Sequence, residues 1–71
     1  MRNVVAVEKR FLSPREAAAH LGLQESTLER WRIIGRGPRF RKFGAAVRYG
    51  VEDLELWIQS VPVGGARPAA R

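Results

Sequence analysis

The chain has 71 residues, enough for one small domain. It has no cysteine and one histidine, His20, so disulfides, Cys-based zinc sites and a His-built metal cluster are excluded. Its net charge is +6, and its 45% hydrophobic content, with Trp31, Trp57, Phe11, Phe40, Phe43 and Tyr49, must supply one apolar core.

Residues 1–10 show no clear periodicity and are expected to be a flexible N-terminal arm or a short strand. Ser13-Pro14-Arg15-Glu16 then opens a first helix over 14–21: Ser13 caps, Pro14 suits the first helical position, and Glu16 closes a capping box. Ala17, Ala18 and Leu21 form its apolar face, and Gly22 ends it. A second helix is expected over 25–34, its buried stripe made of Leu28, Trp31 and Ile34 with Thr27 beside them. Gly35 stops it, and Gly37-Pro38 prevents its resumption. Two short helices joined by Gly22-Leu23-Gln24 have the helix-turn-helix pattern. Phe40 to Phe43 and Val47 to Tyr49, around Gly44-Ala45-Ala46, predict a β-hairpin. Phe43 is taken to alternate with Arg41, and Val47 with Arg48, giving one apolar and one basic face. Glu52 to Gln59 predict a third helix, acidic in its first turn, with Leu54, Trp57 and Ile58 pointing one way. Residues 61–71 are expected to be a disordered tail. No apolar run approaches the roughly 18–20 residues of a membrane span. The first eight residues do not resemble a signal peptide. A cytoplasmic protein without membrane contact is expected.

The charge is concentrated. Residues 30–48 hold Arg30, Arg32, Arg36, Arg39, Arg41, Lys42 and Arg48 and no acid, so this block carries +7 and the remainder −1. Six of the seven are arginine, whose planar fork suits phosphate and guanine. The block interleaves with aromatic residues inside a structured region, which favours a polyanion site over a merely solvated surface.

Leu12 to Ala18, Leu21-Gly22-Leu23, Ser26 to Trp31, Gly35-Arg36-Gly37-Pro38, Val47-Arg48-Tyr49 and Glu52 to Ile58, in that order, resemble the MerR-like helix-turn-helix proteins of the excisionase and AlpA type. The resemblance covers about residues 11–60 and implies a winged helix-turn-helix domain, mainly α with a small β-hairpin. It implies double-stranded DNA binding, with the second helix in the major groove and the hairpin along the backbone or minor groove. Small members are similar to recombination directionality factors, which bind repeated sites, bend DNA and direct a tyrosine-type integrase toward excision of a mobile element. The sequence departs from the family at Gln24, where a Ser or Thr cap is usual, and at Ala45-Ala46, where the wing tip is often basic. Glu25 and Glu29 place negative charge on the recognition face. Such a glutamate is expected to accept from a cytosine amino group or to pair with Arg30 or Arg32.

The expected DNA-binding set is Glu25, Ser26, Thr27, Arg30, Arg36, Arg39, Arg41, Lys42 and Arg48. Arg30 meets a base edge or phosphate, unless it pairs with Glu25 or Glu29. Ser26 and Thr27 lie in the first turn, where amides and hydroxyls meet phosphate, though Thr27 has packing as its alternative. Arg41, Lys42 and Arg48 meet phosphate from the hairpin, or else serve as a solvated edge that blocks strand pairing. Arg36 and Arg39 flank the Gly37-Pro38 turn. Arg32 falls between two faces. Trp31 and Trp57 belong to the core rather than to a base-stacking platform. His20 is expected to be a half-exposed helix residue without chemical duty. Ile33 and Leu56, off their core stripes, are candidates for partial burial or for a head-to-tail contact between copies on DNA. No nucleophile–base pair or phosphate loop is present, so no enzyme activity, cofactor, metal or small-molecule ligand is expected. The leading function is excision control. The alternatives are a stand-alone transcriptional regulator of the same fold and a non-enzymatic adaptor for an acidic protein.

Overall fold

The computed structural model describes residues 10–65; residues 1–9 of the arm expected over 1–10, and 66–71 of the tail expected over 61–71, lie outside the described residues. The elements run β1 (Phe11–Leu12), α1 (Pro14–Leu21), α2 (Glu25–Ile34), β2 (Arg41–Phe43), β3 (Ala46–Gly50) and α3 (Val51–Ser60). Both predicted bounds of α1 and α2 hold, and α3 is one residue longer at each end than expected.

Local chemistry fixes α1 at both ends. The Ser13 hydroxyl accepts from the Glu16 amide at 3.1 Å while the Glu16 carboxylate accepts from the Ser13 amide at 2.9 Å, a reciprocal capping box. At the other end Gly22 adopts φ 73°, and the amides of Gly22 and Leu23 return to the Ala19 and Ala18 carbonyls. Gly35 ends α2 in the same left-handed way, with φ 75°. Gln24 precedes α2 with no side-chain cap bond, as its chemistry led us to expect.

The sheet is larger than a hairpin. Its order is β1-β3-β2, antiparallel throughout, with Phe11 opposite Gly50 and Leu12 opposite Tyr49. Two residues make β1 too short to show an alternation, so the sequence gives it no periodic signal. The Arg10 carbonyl also accepts from the Val51 amide at 2.9 Å, tying the start of α3 to β1. A two-residue turn, Gly44-Ala45, closes β2 onto β3, with Gly44 at φ 65° as such turns require.

Ala17, Ala18, Leu28, Tyr49 and Leu54 form the buried core, and Leu12, Leu21, Trp31 and Val47 pack against it. Two alanines on α1 let α2 and β3 approach closely. Trp31 and Trp57 are half-buried and face each other with ring centroids 5.6 Å apart, so both serve packing. Two expected core residues do not join it. Ile34 is 54% exposed and Ile58 42%. Ile34 is the last residue of α2, directly before the Gly35 stop. Ile58 lines an open apolar groove with Leu21, Leu23, Trp31 and Trp57. His20 is exposed on α1, and its Nε2 lies 3.1 Å from Glu55 Oε2, linking α1 to α3. Among the described residues no helix is long and apolar enough to cross a membrane. Three helices with a three-stranded antiparallel sheet, in this order, make a winged helix-turn-helix.

The link from α2 to β2 depends on one close approach. Gly37 has φ 85°, and a Cβ there would stand 2.6 Å from Trp31 Cε3. Gly35 has a similar φ of 75° but open space around it. Gly35→Ala should therefore cost only the left-handed backbone penalty, about 1 kcal/mol. Gly37→Ala should cost about 1–3 kcal/mol more, because Trp31 must move. Thermal melts of the two variants, read by near-ultraviolet circular dichroism, will measure the difference.

Candidate nucleic-acid interface

The outward face of α2 is built by its core face. Leu28 is fully buried and Thr27, Trp31 and Arg32 are half-buried, which turns Ser26, Glu29, Arg30 and Ile33 to solvent. Glu25 is exposed at the helix start. Thr27 is half-buried, so its side chain lies toward the packing side and Ser26 is the more accessible first-turn hydroxyl. No side chain caps α2, and the Thr27 amide donates to the Gln24 carbonyl at 3.0 Å, which leaves the Glu25 and Ser26 amides for an outside acceptor. Among the described residues, no ion pair joins Arg30 to Glu25 or Glu29. Its guanidinium is thus uncommitted on the exposed face.

Arg32 has a different duty. Its Nη1 donates to Tyr49 Oη at 2.9 Å, and its guanidinium carbon lies 5.9 Å from the Phe40 ring centroid. Tyr49 is 1% exposed, so this arginine satisfies a buried phenol and joins α2 to β3. The signal was present in the spacing: Arg32 follows Leu28 by four residues and so shares its buried stripe.

Arg36, Arg39 and Arg41 line one cleft between the end of α2 and β2, together with Arg32, Phe40 and the α3 carboxylate Asp53. Three of the expected contact residues therefore converge, from both sides of the Gly37-Pro38 turn. Arg36, Arg39, Arg41 and Lys42 are exposed.

The hairpin faces differ from the expected division. The register pairs Arg41 with Arg48, Lys42 with Val47, and Phe43 with Ala46. Side chains two apart share a face, so Arg41 and Phe43 lie together, with Arg48, on the outer face. Lys42, Val47 and Tyr49 lie on the inner one, where Val47 and Tyr49 meet the core and exposed Lys42 reaches past the edge strand. No face is purely basic or purely apolar. Phe43 completes the outer face with Phe11 of β1, ring centroids 5.5 Å apart in an edge-to-face pair. Arg48 is half-buried, its Nη1 donating to the Val47 carbonyl at 2.6 Å, so part of its fork is already engaged.

Ile33 and Leu56 are not at a core edge. They are 79% and 65% exposed, each on the outward side of its helix.

The Arg41–Arg48 pairing places like charges directly opposite each other, which opposes folding unless an anion sits between them. Arg41→Gln should therefore leave the melting temperature unchanged or raise it slightly, by up to about 0.5 kcal/mol in stability. The same change should weaken duplex binding and lower the salt slope by about 1. Melting curves and fluorescence anisotropy at several salt concentrations will check both signs.

A family model described as a helix-turn-helix domain matches residues 11–61, from β1 to just past α3. No individual curated protein matches the chain. The match spans both helices of the motif and the whole basic block, and the geometry leaves the outer face of α2 and most of that block's cations uncommitted. The chain therefore belongs to the helix-turn-helix domain family and is a DNA-binding protein that acts on the double helix.

Proposed function

We propose that this protein is a recombination directionality factor of the excisionase and AlpA type, a MerR-like member of its family. It binds repeated duplex sites cooperatively, bends the DNA and directs a tyrosine-type integrase toward excision of a mobile element. It works in the bacterial cytoplasm on the nucleoid, catalyses nothing itself and needs no cofactor. The observation that carries this reading is the acid-free block 30–48, folded so that Arg36, Arg39 and Arg41 line one cleft beside the exposed Arg30.

In this reading α2 lies in the major groove, with Ser26 and Arg30 toward the duplex, while Arg41, Lys42 and Arg48 follow the phosphate backbone. Neighbouring copies meet head to tail. Leu56, exposed on the outward side of α3, supplies an apolar contact to the next copy away from the DNA-facing cations. Such a contact does not close on itself and can extend along repeated sites.

Two measurements test the proposal. If Arg36, Arg39, Arg41, Lys42 and Arg48 neutralise about five phosphates, log affinity should fall against log salt with a slope of about −4 to −5. A flat response would speak for the adaptor function. In footprinting across an element's attachment region, the protein should protect repeated sites cooperatively and raise integrase-dependent excision. Leu56→Glu should lose the cooperativity while retaining single-site binding. Protection confined to a promoter, without effect on recombination, would make the protein a transcriptional regulator instead.

A further inference from the structure

One residue on the outward face of α2 is explained neither by packing nor by charge. Ile33 is 79% exposed, more than any other large apolar side chain within a described helix or strand. At about 100° per residue, positions seven apart are nearly superimposed along a helix, so Ile33 points the same way as Ser26, with Arg30 between them. Buried Leu28 points the opposite way. Ile33 is thus at the centre of the solvent stripe, where a polar side chain is the ordinary occupant. Its β-branch also gives it no advantage in helix propensity there.

We infer that Ile33 is a base-reading residue that packs against the C5 methyl group of a thymine in the major groove. The inference rests on the proposed seating of α2 in that groove. The thymine methyl is the apolar group that base pairs display there. Ile33 follows Arg30 by three residues, about 4.5 Å along the helix axis. One base step is about 3.4 Å, so the two side chains can address adjacent or next-adjacent base pairs. Arg30 would then set a hydrogen-bonded preference and Ile33 an apolar one beside it.

Charge favours DNA over a second copy as the partner of this face. Arg30 and exposed Arg36 flank Ile33, and two such faces brought together would oppose like charges. The exposed Leu56 of another copy would match it better, but that contact would remove α2 from the groove. Self-association through Ile33 and base reading by Ile33 therefore exclude each other.

The test uses the full chain and a duplex enriched by that chain from a random-sequence pool. Each thymine is replaced singly by deoxyuridine, which removes only the methyl group. With the unaltered protein, one replacement should weaken binding about fourfold, the worth of one buried methyl. Ile33→Ala should weaken binding to the thymine duplex by a similar factor and make thymine and uracil equivalent at that position. Ile33→Val should keep most of the difference. Because Ile33 is exposed, the melting temperature of the free Ile33→Ala protein should not change. If a duplex is enriched but no uracil penalty depends on Ile33, the inference is overturned while the seating of α2 stands. If Ile33→Ala instead alters sedimentation and leaves every uracil penalty intact, the face belongs to a second copy and the inference is overturned. If no duplex is enriched at all, the underlying reading of the protein fails with it.

Discussion

The hydrogen bond from Arg32 to Tyr49 is the interaction on which the relation between wing and recognition helix depends. Tyr49 is a large side chain enclosed in a very small core, and a phenolic oxygen buried without a partner carries a substantial penalty. Arg32 removes that penalty from α2, and Phe40 covers the pair from the connecting segment, its ring 6.1 Å from that of Tyr49. A two-stranded hairpin is marginal by itself in water. Here β3 is anchored by Tyr49 on one side of the sheet plane and by β1 along its edge. The wing is thereby held at a fixed place relative to α2, which a protein contacting two parts of a duplex requires. One of the seven cations of the basic block is the cost, since Arg32 is withdrawn from any outside partner.

The uncommitted cations are a source of strain for the free protein. Arg41 and Arg48 face each other across the hairpin, and Arg36 and Arg39 share their cleft with Arg41. Within the described fold the carboxylates beside them are Asp53 at the cleft wall and Glu52 in the pocket next to Arg41, and a polyanion would relieve the remaining repulsion. The uncapped start of α2 belongs with these features: Gln24 gives up stabilisation worth roughly 1 kcal/mol that Ser or Asp would supply there. Stability is concentrated away from the basic block, in the capping box of α1 and the Ala17–Ala18 contact surface.

How much of this was legible in the sequence follows the length scale of each interaction. Features set within four residues were fully visible: the Ser13–Glu16 box, the Gly22 and Gly35 stops, the bounds of α1 and α2, and the acid-free block. Features set by pairing partners were not. Arg41 and Phe43 share a face by the two-residue period of any strand, so the expected division failed on that period, whereas the two-residue turn at Gly44-Ala45 decides that Arg48 and Ala46 join them there. The two residues of β1 become a strand only because β3 offers its edge. Ile34 has helical spacing from Trp31, yet as the last residue of α2 it stays more than half exposed. Arg32 was ambiguous because helical periodicity gives a direction but not what stands there, and what stands there is a buried tyrosine 17 residues further along the chain.

The two glutamates of α2 then constrain how the helix can meet its target. They could have been neutralised within the helix, but among the described residues neither Glu25 nor Glu29 forms an ion pair, and Arg32 is turned toward Tyr49. An unpaired carboxylate on a DNA-facing helix cannot lie against phosphate without strong repulsion, whereas over the base edges it finds the cytosine amino group as a donor. In the proposed seating the phosphates accordingly run on the side of Arg36, Arg39 and Arg41, leaving the Glu25–Glu29 edge toward the groove floor. Negative charge on the recognition face thus does not argue against duplex binding. In the proposed seating it sets the rotation of α2 about its own axis, and the same rotation would turn Ser26, Arg30 and Ile33 toward the bases.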